Sequence, residues 1–206
     1  MGIEEEFAHV VEENCTSSHG FAGVSTITKF LEEKAQKSKI REACLKHVLY
    51  QEPVTWESVK ERVWNTNEER DSNCFQFLQG DVVFTSLVIV PGVAETSISQ
   101  TKWMILAPDC DAVRGDFVRV APLFETSDIY STSLKMKSQK YFPVIFEHER
   151  LAADLTTPCY IQKQYKAAAI VRATLTVNGW HLLNAFLQNR ETRANVDEAI
   201  RVRTPL

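Results

Sequence analysis

The chain has 206 residues, 44% of them hydrophobic and 24% charged, with a formal net charge of −4. These are ordinary globular values, and a chain this long can bury a core without disulfide or metal staples, as one large domain or two small ones. The negative charge argues against a general nucleic-acid-coating role and leaves room only for local basic patches.

In chain order, residues 4–15 place Phe7, Val10 and Val11 at helical spacing, with glutamates on the remaining positions. Cys15 to Gly23 reads as a break. Ser25 then offers a cap to a helix whose inner face is Ile27, Phe30, Leu31 and Ala35. A third helix spans Ile40 to Tyr50, with His47 packed beside Cys44 and Val48. A fourth follows Pro53, from Thr55 to Trp64. Residues 1–64 are therefore a helical region, either a small bundle or a cap. Residues 65–73 contain no apolar side chain and form the expected linker. From Gly80 the period becomes strand-like: Gly80 to Val90, Lys102 to Leu106, and Phe117 to Phe124, each bounded by turn residues. After a polar stretch from Glu125 to Lys140, Tyr141 to Phe146 is an edge strand, because Pro143 cannot donate to a ladder. Pro158 to Ile161 is a further strand. Ala167 to Leu175 suits either a strand or a helix. The barrel domain so outlined covers 74–175. Residues 176–206 supply a last helix, with Trp180, Leu183, Phe186 and Leu187 inward, and a charged tail.

The five cysteines (Cys15, Cys44, Cys74, Cys110, Cys159) show no CxxC and no zinc-type Cys/His spacing. Reduced thiols and a cytoplasmic setting follow, with no metal or other cofactor. The acidic start is unlike a signal peptide, and no apolar run reaches the ~20 residues of a membrane span, so no membrane partner is expected.

The order Gly80-Asp81-Val82-Val83, then Pro91-Gly92 to Gln100, then Met104-Ile105-Leu106-Ala107-Pro108-Asp109, then Val118-Arg119-Val120-Ala121-Pro122-Leu123 resembles the MazF/PemK family. The resemblance covers residues 80–124. It implies an SH3-like antiparallel barrel, so the expected fold class is α+β: N-terminal helices, barrel, C-terminal helix. Members of that family are toxin endoribonucleases. The catalytic arginine of the family falls here at Thr101, or at Lys102 with a one-residue shift, and its catalytic threonine or serine falls at Phe124. Thr126 and Ser127 lie just beyond. Cleavage of a phosphodiester needs a cation on the developing charge and a positioned acid or base. With those positions replaced, the resemblance implies a non-catalytic interaction protein of a bacterial defence system (toxin–antitoxin, CRISPR or other antiviral). A divergent endoribonuclease using Lys102, Thr126 and Ser127 is the alternative.

Other constellations stand apart from the resemblance. Asp109-Cys110-Asp111 reads as an Asx turn, as a partner contact together with Arg114 and Arg119, or as a hard-cation site with Asp116. The flanking carboxylates disfavour a Cys110 thiolate, which argues against a nucleophile. Lys135, Lys137 and Tyr141 are the one basic run with an aromatic beside it, a pattern that suits single-stranded nucleic acid. His148 sits between Glu147 and Glu149 in what reads as a charged turn. Another protein is the expected partner, with nucleic acid as the second possibility.

Overall fold

The computed structural model describes residues 2–14, 20–53, 77–92, 100–108, 112, 115–134, 140–157 and 159–187. Three helices come first: α1 (Ile3–Asn14), α2 (Gly20–Glu33) and α3 (Ser38–Leu49). Eight strands follow among the described residues: β1 (Tyr50–Gln51), β2 (Val82–Phe84), β3 (Lys102–Ile105), β4 (Phe117–Glu125), β5 (Tyr141–Phe146), β6 (Glu149–Asp154), β7 (Cys159–Gln162) and β8 (Ile170–Leu175). A π-helical turn (Tyr130–Leu134) precedes β5, a 3-10 turn (Lys163–Ala168) precedes β8, and α4 spans 177–187. The expected helix at 55–64 and the linker at 65–73 lie outside the described residues.

Every strand pairing is antiparallel, in the order β1-β8-β2-β3-β4-β6-β5, with β7 also paired to β4. The two ends of that order, β1 and β5, lie beside each other. The result is a nearly closed antiparallel barrel, compatible with the SH3-like expectation, in a mixed α+β chain.

The two faces of the sheet belong to different cores. Val83, Trp103, Ile105, Val118, Val120, Cys159 and Ile161 cluster on one face with Phe77 and Val88. Val82, Met104, Ala121, Leu123, Leu151, Ala153, Phe142 and Val144 face the other way. There they share one cluster with Phe7 and Val11 of α1, Ile27 and Leu31 of α2, Leu45 and Leu49 of α3, and Leu182 and Phe186 of α4. The helices thus cap the sheet. Strand β4 supplies both clusters, because alternate side chains of a strand point to opposite faces.

Several local details differ from the sequence reading. Helix α2 starts at Gly20, inside the expected break, because buried Val24 extends the apolar row of Ile27, Leu31 and Ala35 by a turn. His47 is exposed, since Leu45 and Leu49 fill the inner face of α3 beside Cys44 and Val48. Gly80 is a turn residue with φ 90°, so the strand begins at Val82. A Cβ there would collide with the Leu175 side chain. Asp81 holds this turn: its Oδ2 accepts from the Leu78 amide at 2.8 Å and its carbonyl accepts from the Ile105 amide at 2.9 Å. Ala167 to Leu175 resolves into a 3-10 turn and strand β8. Strand β6 lies where the sequence suggested only a charged turn. Its centre, Leu151-Ala152-Ala153, combines weak strand formers with a charged residue at each end.

Helix α4 begins on Thr176. Its hydroxyl accepts from the Gly179 amide at 3.0 Å and donates to the Val48 carbonyl, tying the helix start to the end of α3. Gly179 approaches the Leu49 carbonyl so closely that a Cβ has no room. Trp180, expected inward, is 39% exposed, and its indole N–H donates to Gln79 Oε1 at 3.0 Å. Leu182, Leu183, Ala185 and Phe186 form the buried face instead.

Candidate functional site

The sheet face that packs on the helices turns from apolar to charged at one end of the strands. Continuing past Val82, Met104 and Leu151, the register reaches Phe84, Lys102 and Glu149. Lys102 Nζ donates to both carboxylate oxygens of Glu149 at 2.8 Å, and Glu125 Oε1 stands 4.0 Å away. Lys102 also lies 5.8 Å from the centre of the Phe84 ring. Arg172 lies 5.4 Å from the same ring and pairs with Glu147 at 3.0 Å. It reaches that position because the register of β8 against β2 shifts between Val82 and Val83. A bulge of this kind re-aims the extra side chain.

The turn joining β5 to β6 is the anchor of this rim. Glu147 takes the left-handed conformation, φ 49°, which carries a steric cost for a non-glycine residue. Its carbonyl accepts from Lys46 Nζ at 3.0 Å. Arg150 Nε pairs with Glu42 at 2.8 Å, so α3 holds the turn at two points. His148 is exposed at the tip.

Lys102, the cation available to a ribonuclease mechanism, is therefore neutralised by an acidic neighbour. Thr126 Oγ1 lies 2.7 Å from Thr132 Oγ1, whose own hydroxyl is within reach of the Asp128 carbonyl at 2.8 Å. Ser127 is exposed. Phe124 sets its ring edge-on to Tyr141 at 5.2 Å, which commits one side of Tyr141 to the protein's own surface. Asp109, Asp111, Arg114, Lys135 and Lys137 lie outside the described residues.

Arg119 is the remaining candidate, and its surroundings are informative. It lies opposite Tyr160 in the β4–β7 pairing, with Phe117 opposite Gln162 one pleat away. Tyr160 in turn bridges to Ile89. Arg119 is exposed, Phe117 is 55% exposed, and Arg119 makes no ion pair with any described residue. By alternation these side chains share the face of Ala121 and Leu123, beyond the reach of the helices.

The described thiols are unsuited to chemistry. Burial pushes both Cys44 and Cys159 up to about 11, so neither is a thiolate at neutral pH. Burial likewise raises the Tyr50 hydroxyl well above its usual range, with the Asp81 charge adding to it. Burial, then the Glu32 carboxylate, pushes Tyr130 up to about 12. Asp128 is lowered, mainly by its hydrogen bonds from the Ser131 hydroxyl and amide. Among the described residues there is no cluster of three or more potential metal ligands and no helix long and apolar enough to cross a membrane.

Sequence reasoning missed the pairing of Lys102 with Glu149. The two are 47 positions apart, and β6 itself was not recognised. A cation at the end of an apolar strand, on the parity of buried residues, is the signal that asks for such a partner. The chain matches no protein-family model and no curated protein sequence.

Proposed function

We propose that this chain is a non-catalytic interaction protein that docks an acidic protein surface on the β4–β7 face, at the end that no described residue covers. The observation that carries this reading is the exposure of Phe117 and Arg119, beside half-buried Tyr160, on a sheet face that is buried two residues further along β4. Aromatic residues and arginine dominate the energetic centres of protein interfaces, and an arginine with no ion pair among the described residues suits a carboxylate from outside. Lys102, the cation a ribonuclease would use, is engaged by Glu149, which lends the non-catalytic reading further support. The bacterial defence setting rests on the likeness of residues 80–124 to the MazF/PemK pattern.

Two measurements test this. Incubation with mixed single-stranded RNA is expected to leave it intact; cleavage that disappears in Lys102→Ala would overturn the reading in favour of a divergent endoribonuclease. Affinity capture from the native host is expected to return one reproducible protein with the wild type and to lose it with Phe117→Glu/Arg119→Glu. Retention of the same protein by that double variant moves the interface elsewhere.

A further inference from the structure

A concavity of about 470 Å³ lies between α3 and the β5–β6 turn. Its charged lining is Lys39, Glu42, Lys46, Glu147, Glu149 and Arg150, over a floor of Ala43 and Ile145. The carboxylates are already spoken for. Glu42 pairs with Arg150, Glu147 with Arg172, and Glu149 with Lys102. Glu42 stands four residues before Lys46, the spacing that would pair them along a helix, yet its Oε1 goes to Arg150. Lys46 Nζ meets only the Glu147 carbonyl, and Lys39 meets no carboxylate among the described residues.

The lining carries three cations and three carboxylates, but Lys39 and Lys46 form no ion pair among the described residues, so two ammonium groups on one side of this groove are open to an anion. Lys39 and Lys46 are seven residues apart on one helix, roughly 10 Å along its axis and on the same face. Arg150 is fixed through Nε by Glu42, which leaves the other edge of its guanidinium, the geometry suited to phosphate oxygens, directed away from that pair. The first turn of α3 carries no acidic residue, so the helix dipole adds field of the same sign at the Lys39 end. The volume falls within the range of small-molecule sites.

We infer that this groove binds a small polyphosphate, a di- or triphosphate group held by Lys39 and Lys46 with Arg150 at its side. The site is separate from the β4–β7 face, and neither assignment depends on the other. The test uses inorganic triphosphate as probe, titrated into the full-length protein at low ionic strength by calorimetry. One saturable site is expected, weakened about tenfold or more in Lys39→Ala/Lys46→Ala, the loss of two charge-assisted contacts. Arg150→Lys, which keeps the charge and removes the fork, is expected to weaken it less. Circular dichroism on each variant checks that α3 is intact. Absence of saturable binding, or unchanged binding in the double lysine variant, overturns the assignment. So does a marked preference for short single-stranded RNA over triphosphate, which would make the groove a nucleic-acid surface.

Discussion

The two halves of β4 invite comparison. At Ala121 and Leu123 the strand lies under the N-terminal helices, with exposures of 0% and 2%. At Phe117 and Arg119, on the same face of the same strand, nothing among the described residues covers it, and Phe117 is 55% exposed. Local sequence does not produce this difference, since an aromatic residue such as Phe117 is a better strand former than Ala121. Coverage produces it. Ala121 and Leu123 share the cluster that holds the helices, and the far half of the strand is held by its other face, through Val118 and Val120. Apolar character on a strand thus marks a face that is covered by something, and the covering element need not belong to the chain.

The comparison is broken most strongly at the buried half. Leu123→Ala is expected to lose about 2–5 kcal/mol in denaturant unfolding, through lost contacts and a cavity under the helices. Phe117→Ala should change stability by less than about 0.5 kcal/mol in the same measurement. Equal losses would mean that Phe117 is covered by the chain itself. Gly80→Ala, which forces a Cβ into Leu175 at a left-handed position, is expected to cost about 1–3 kcal/mol.

The covered region also has a signature in pH. Tyr50 is raised in the folded state, so its contribution is complete below the ordinary tyrosine pKa of about 10 and is lost as pH rises above it, where only the unfolded chain ionises. The buried Cys44 and Cys159 thiols, raised to about 11, begin the alkaline loss of stability, Tyr50 adds to it above about pH 10, and Tyr50→Phe should therefore move the midpoint of alkaline unfolding, followed by fluorescence, to higher pH. A variant that unfolds at the same alkaline pH as the wild type would remove Tyr50 from the account. A small effect is expected at the rim. Lys102→Ala should cost about 1 kcal/mol or less, because its pair with Glu149 is partly solvated.

Much of the architecture was legible because hydrophobic period reports coverage. Phe7 and Val11 marked α1, Trp103 to Ile105 marked β3, and the alternation through Val118 and Val120 marked β4. Residues that act through a distant partner were not legible in the same way. Strand β6 owes its place to pairing with β4 and β5 rather than to its own alanines. Trp180 was read as core, yet it sits at the surface because Gln79 offers its indole an acceptor from 101 positions away. The candidate site divides similarly. Lys102 was singled out by the likeness to the MazF/PemK pattern, while Glu149, which decides what that cation can do, carried no mark of its own.

The closing pair of the barrel sets the order in which the protein can be made. Tyr50 pairs with Leu175, so β1 has no strand partner until more than half the chain has followed it. The apolar faces of α1, α2 and α3 leave the ribosome before their complement, which follows in steps: Leu123, Phe142 and Leu151 ahead of Leu175, and Phe186 after it. Contacts this distant in sequence make for slow, late closure. A nascent chain stalled before residue 175 would carry three amphipathic helices and an open sheet, which makes it a substrate for chaperones in a way the finished protein is not.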